Sequence, residues 1–204
     1  ISPDEELRKI LEHRTQELIE YQNLSFAKEY IDFVGNVYKK EKKTRSSSDL
    51  TQNVAKYLFK LMATKDEYEV ARLSLKAELD SAISLEFGKS AKINYMLHPP
   101  FLKAMENIPV LNMLPGVKSK LALGSWFKVF YVMLKNMKFL RGTPLDFMAW
   151  FSSDVRKADK KALNHYKSIL TKNLDEIGNG KYQDLKEFSV LPDIIRGYEE
   201  VRLE

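Results

Sequence analysis

Between Asp49 and Leu75 the apolar and polar residues fall into a helical rhythm. Val54, Leu58, Leu61, Lys65, Tyr68, Arg72 and Leu75 recur at alternating steps of four and three, which places them along one stripe of an α-helix. Two cations sit on that otherwise apolar line. Glu69 stands four residues after Lys65 and three before Arg72, within side-chain reach of both. A stripe that only filled a core would carry Leu or Ala at those positions. The spacing therefore predicts that Lys65, Glu69 and Arg72 are buried and mutually paired.

The same rhythm recurs on both sides of this stretch. Ser2-Pro3-Asp4-Glu5 reads as a helix start, and Leu7, Ile10, Leu11, Leu18 and Tyr21 mark an apolar face through Gln22. A second helix is expected from about Ser25 to Tyr38, with Phe26, Tyr30, Phe33, Val34 and Val37 inward. Residues 39–48, KKEKKTRSSS, hold no apolar side chain and read as a flexible, solvated loop. Asp49 or Thr51 then caps the next helix. From Ile83 the period shortens to two: Ile83, Leu85 and Phe87 alternate with polar residues, Gly88-Lys89-Ser90 supplies a turn, and Ile93 and Tyr95 alternate again. This pattern predicts a short antiparallel β-hairpin at about 83–96, ended by Pro99-Pro100. Ser125 to Leu140 is apolar on nearly every side and reads as one central buried helix, with Lys128, Lys135 and Lys138 reaching out. Gly142 closes it, and Thr143 caps a new helix with Asp146 reaching back. A helix from about Ser153 to Leu174, a Gly178-Asn179-Gly180 turn and a helix around Tyr182 to Phe188 complete the pattern. The expectation is a mainly α chain, one domain over 1–204, with one hairpin.

Composition narrows the chemistry. The 204 residues include no cysteine, which excludes disulfides, thiolate nucleophiles, cysteine zinc sites and cysteine-held iron–sulfur clusters. The net charge is +5, but 28 acidic residues are spread along the chain, so nucleic acid is not the expected partner. No apolar run reaches the ~20 residues of a membrane helix, and no signal peptide opens the sequence, so a soluble, cytoplasmic protein is expected. A chain beginning at Ile1 reads as part of a longer polypeptide. His13, His98 and His165 fall in no metal-ligand spacing. Of the three, His98 beside its two prolines is the one a rigid turn could present. Gly178 to Lys181 lacks the spacing of a phosphate loop. What remains is the polar series of the opening stretch, where Asp66 and Glu69 are three apart and, if dry, could leave one of them an acid. The candidate positions are Lys65, Asp66, Glu67, Glu69, Arg72, His98 and Arg141. They are open to three readings: an ion network or interface, chemistry shared with a partner's site, or independent catalysis.

Five stretches also carry a family resemblance. Leu58 to Leu73, LFKLMATKDEYEVARL, resembles the most characteristic motif of the C-terminal domain of bacterial single-chain indolepyruvate ferredoxin oxidoreductases, a branch of the 2-oxoacid:ferredoxin oxidoreductases. In the same order as that family stand His13-Arg14 to Tyr21-Gln22 with Ala27 and Tyr30, Pro99 to Leu102, Lys138 to Thr143 with Asp146, and Leu191 to Tyr198. The chain departs from the family at Thr64, often a tyrosine there, and at Met148, commonly a glycine. The resemblance implies a parent enzyme that oxidatively decarboxylates aryl pyruvates to aryl-acetyl-CoA. Such a parent uses thiamine diphosphate with Mg, [4Fe-4S] clusters and coenzyme A, and passes electrons to ferredoxin. For this chain it implies an accessory domain that contacts upstream catalytic domains or a homodimer interface, with no catalytic, cofactor or metal residue of its own.

Overall fold

The computed structural model describes residues 3–88, 90, 92–97, 121–151 and 153–195. The chain is mainly α, as the periodicity implies. The residues gather into two compact units, Ile1–Thr64 with Asp154–Glu204, and Lys65–Ser153.

The first unit is built from α1 (Pro3–Tyr21), α2 (Leu24–Thr44), α3 (Asp49–Met62), α8 (Ser153–Asn173) and α9 (Tyr182–Val190). Asn23 caps α2 by accepting from the Phe26 amide at 2.9 Å. The inward stripe of α2 is Ala27, Tyr30, Val34, Val37 and Glu41. It packs with Leu18 of α1, Leu50, Val54 and Leu58 of α3, and Tyr166 and Leu170 of α8 into one core. Two phenols reach through this core to backbone carbonyls, Tyr30 donating to Ala55 at 2.9 Å and Tyr166 to Ser189 at 2.8 Å. Burial pushes the pKa of both well up, because a phenolate there would lose its water. A 3₁₀ turn, Leu174–Asn179, follows α8, and Gly180 at φ +92° supplies the left-handed residue that leads into α9.

The second unit holds α4 (Glu67–Ser74), α5 (Ala77–Phe87), β1 (Tyr95–Leu97), β2 (Leu121–Leu123), α6 (Lys128–Asn136) and α7 (Phe147–Phe151). α4 packs on α6 around Tyr68, Ala71, Phe127, Tyr131 and Leu134. The rings meet edge to face: Tyr95 and Tyr131 lie 5.0 Å apart at 84°, and Phe127 and Tyr131 5.0 Å apart at 76°, the geometry that sets a positive ring edge on a negative face. β1 and β2 are antiparallel, with Tyr95 opposite Leu123 and Leu97 opposite Leu121.

Four expectations are corrected here. The Asp49–Leu75 stripe is not one helix; it breaks between Met62 and Glu67, so that Val54, Leu58 and Leu61 serve the first core and Tyr68 the second. The antiparallel strands do not lie within 83–96, since Ala77–Phe87 is α-helical and β1 pairs with a strand near 121. Leu79, Ile83 and Phe87 are also spaced by four, so a five-residue alternation could not distinguish strand from helix, and Ala, Glu and Leu favour the helix. Gly88 at φ +84° then ends α5, its amide donating to Ser84 at 3.0 Å. Residues 39–44 of the expected loop are helical, because α2 continues to Thr44. Finally, Ser125–Leu140 is α6 flanked by two 3₁₀ turns. Only one of its faces is buried: Trp126 and Val129 are 67% and 76% exposed. No helix among the described residues is long and apolar enough to cross a membrane.

Candidate functional site

The polar residues singled out in the second unit form two linked ion pairs and a buried phenol–carboxylate contact. Asp66 has extended backbone angles ahead of α4 and caps it, Oδ1 accepting from the Glu69 amide at 2.9 Å. The same carboxylate receives the fork of Arg141, Nε to Oδ2 at 2.6 Å and Nη2 to Oδ1 at 2.8 Å. One turn on, Arg72 grips Glu69 in the same bidentate way, at 2.8 and 2.7 Å. Two parallel N–H···O bonds fix the plane of each pair as well as its distance. Arg141 also lies over the Tyr68 ring, 5.5 Å from its centroid.

Tyr68 carries the network to a third carboxylate. Its hydroxyl donates to Asp146 Oδ1 at 2.9 Å, and both residues are buried. Asp146 is itself the cap of α7, accepting from the Ala149 amide at 3.2 Å through Oδ1 and from the Gly142 amide at 2.9 Å through Oδ2. The expected roles are thereby exchanged. Thr143 closes the preceding turn instead, its hydroxyl donating to the Leu140 carbonyl at 2.7 Å.

Glu69 and Arg72 are therefore buried and paired as expected, but Lys65 is exposed in the stretch ahead of α4. The helix break accounts for it: once the chain turns at Ala63–Asp66, position 65 leaves the stripe, and the second cation of the cluster is Arg141. Glu67 is half-buried in the first turn of α4, where a negative charge suits the helix dipole. His98 lies outside the described residues. His13 and His165 are exposed.

A second polar centre, in the first unit, escaped the sequence reading. Glu41, inside the KKEKK run, is fully buried. Its Oε1 accepts from the Leu50 amide at 3.0 Å and the Tyr182 hydroxyl at 2.8 Å, and its Oε2 from the Thr51 amide at 2.9 Å and the Thr51 hydroxyl at 2.6 Å. The N-terminus of α3 is thus capped by a side chain from another helix, not by Asp49 or Thr51. Burial is the first cause pushing the Tyr182 phenol up, and the Glu41 carboxylate it donates to adds to the effect. The signal was present in the spacing, since 27, 30, 34, 37 and 41 continue one stripe. The lysines on either side of Glu41 hid it.

Of the five stretches that carried the family resemblance, Pro99 to Leu102 lies outside the described residues, and the other four meet one another within their units. In the first unit, the Tyr21 hydroxyl lies 3.4 Å from Thr64 Oγ1, Arg14 sits 4.4 Å above the Phe59 ring, and Lys60 reaches Asp193 Oδ1 at 3.2 Å. In the second, the motif around Leu58–Leu73 meets Lys138–Asp146 twice, through Asp66 with Arg141 and Tyr68 with Asp146. Each contact joins two different stretches, and none presents an unoccupied nucleophile or an acid–base pair. Among the described residues no group of three or more His, Asp or Glu could hold a metal. A shallow groove of about 370 Å³ is lined by Arg14, Lys56, Tyr57, Phe59, Lys60 and Ala63. Lys56 and Lys60 there are already paired with Glu6 and Asp193.

No curated protein and no solved structure matches this chain. The model of a family of unknown function (DUF6537) matches residues 7–204, nearly the whole length, and the chain belongs to that family.

Proposed function

We propose that this chain is the C-terminal accessory domain of a cytoplasmic indolepyruvate-type 2-oxoacid:ferredoxin oxidoreductase, with a structural rather than a catalytic part in the parent enzyme. The observation that carries the structural role is that polar residues of the resembling stretches are consumed in contacts with one another. Asp66 is taken by Arg141 and the Glu69 amide, Glu69 by Arg72, and Asp146 by Tyr68 and two backbone amides. Groups so engaged hold two helix starts and a turn together and are not free to move a proton to a substrate.

The parent's cofactors do not fit this chain's own donors. A [4Fe-4S] cluster needs thiolates and the sequence has none, and the carboxylates of the motif network, Asp66, Glu69 and Asp146, are paired to arginine or to amides. Thiamine diphosphate, clusters, coenzyme A and ferredoxin therefore belong, in this reading, to upstream modules and their partners. The test is to express the full-length gene product and assay aryl-pyruvate-dependent dye reduction with coenzyme A, thiamine diphosphate and Mg²⁺. Turnover is expected from the full-length protein and none from the isolated 204 residues. Tyr68→Phe in the full-length protein should lower its thermal midpoint while leaving kcat per folded enzyme unchanged. An upstream sequence without thiamine-diphosphate and cluster modules, or turnover by the isolated chain, overturns the proposal.

A further inference from the structure

The positive charge of this protein is concentrated in two stretches, residues 39–45 and one long helix. α8 carries Arg156, Lys157, Lys160, Lys161, Lys167 and Lys172 against Asp154 and Asp159, six cations to two acids, a net of +4. The whole chain has a net charge of +5. Helical spacing sorts these residues by face. Tyr166 and Leu170 point into the core and Lys167 is drawn aside to Glu29. Lys157, Lys160, Lys161, His165, Ser168 and Lys172 lie on the exposed face. Lys157 to Lys172 spans fifteen positions, about 22 Å at 1.5 Å per residue. Five of the six side chains that line a shallow open groove of about 550 Å³ come from this ridge, with Asn164 as the sixth. Lys160 and Lys161 have no ion-pair partner among the described residues.

We propose that this ridge docks an acidic patch, about 20 Å long, on a protein partner. The inference does not depend on the oxidoreductase reading. Three features select a compact acidic surface over a longer polyanion or a membrane. The ridge is bounded: Asp154 stands at its start and Asp175 and Glu176 just past its end, paired with Lys157, Lys40 and Lys181. The other basic run, residues 39–45, is partly spent on acids, Lys40 on Asp175 and Lys42 on Asp4, and so adds little free charge for a duplex to follow. The exposed face carries one imidazole, His165, but no Phe, Tyr or Trp to stack a base and no large apolar side chain to enter a bilayer. The cations are lysines, mobile point charges that steer and hold an acidic surface without demanding a planar fork geometry.

The test uses the 204-residue chain and three probes: a fluorescent 15-residue poly-L-glutamate peptide, a 20-base-pair DNA duplex, and phosphatidylcholine vesicles with 30% phosphatidylserine. The peptide should bind at 50 mM NaCl and weaken by about tenfold at 200 mM, as screening predicts. K160E/K161E should weaken it by about tenfold or more at 50 mM, with an unchanged circular dichroism spectrum because both side chains are exposed. K92E/K135E removes the same charge from exposed lysines of the second unit and should change binding less than twofold. The proposal is overturned by absent peptide binding at 50 mM, by equal losses in the two double variants, or by tighter binding to the duplex or vesicles.

Discussion

Asp66 and Arg141 allow the motif network to be measured on its own. Their side chains are 8% and 12% exposed, and the pair is bidentate at 2.6 and 2.8 Å. Asp66→Asn removes the charge but keeps a good helix cap, so the bond from the Glu69 amide survives. Arg141→Met removes the cation and keeps much of the apolar stem. Breaking one partner of a buried pair costs about 3 to 5 kcal/mol; with some water still reaching Arg141, about 3 kcal/mol is expected for each single variant. The double variant leaves no orphaned charge, so its cost should also be about 3 kcal/mol instead of the additive ~6, a coupling near 3 kcal/mol. Both tryptophans, Trp126 and Trp150, lie in the second unit, so urea unfolding followed by tryptophan fluorescence reports on that unit. With a slope of about 2 kcal/mol per molar, each single variant should lower the midpoint by about 1.5 M. Additivity within ~0.5 kcal/mol would sink the argument that the two residues act as one unit.

Two further predictions concern the first unit. Glu41→Gln sets an NH₂ group against amides and hydroxyls that all donate, and should cost about 3 kcal/mol. Hydrogen exchange should show the Leu50 and Thr51 amides losing protection, and a variant within 0.5 kcal/mol of the parent refutes the cap. The raised pKa values of Tyr30 and Tyr166 make an alkaline prediction. Above about pH 10 the unfolded chain releases phenolic protons that the folded chain keeps, so stability falls with rising pH. Below pH 10 these groups are protonated in both states and contribute no slope. Tyr30→Phe should make the decline shallower, and an unchanged slope contradicts the assignment.

The sequence carried the helical class because long amphipathic stretches repeat at 3.6 residues over many turns, as α1, α2 and α8 do. It failed where a signal was short or where a residue type pointed the wrong way. Five alternating residues around Ile83 fitted a strand and a helix equally. KKEKK looked solvated, although Glu41 sits in phase with Val34 and Val37. The candidate site was half legible. Asp66, Glu69, Arg72 and Arg141 do converge, whereas Asp146 and Tyr68 owe their importance to each other across 78 residues, which no local pattern encodes. Lys65 was misplaced because a stripe continued in phase across a helix break. Periodicity reports phase and is silent about whether the backbone turns.

The chain path of the two units has a consequence for biosynthesis. The second unit is contiguous, Lys65–Ser153, while the first is assembled from segments on both sides of it. A ribosome therefore delivers every residue of the second unit before it has made Tyr166, Leu170 or Leu185 of the first core, or the Tyr182 that donates to Glu41. Since domains fold as units during synthesis, the inserted unit closes first. The α1–α3 segment has its own helix-on-helix contacts but waits for the part of its core that the C-terminal helices supply. That interval is when this protein is most open to aggregation and to chaperone capture, and truncations after Ser153 should make it permanent.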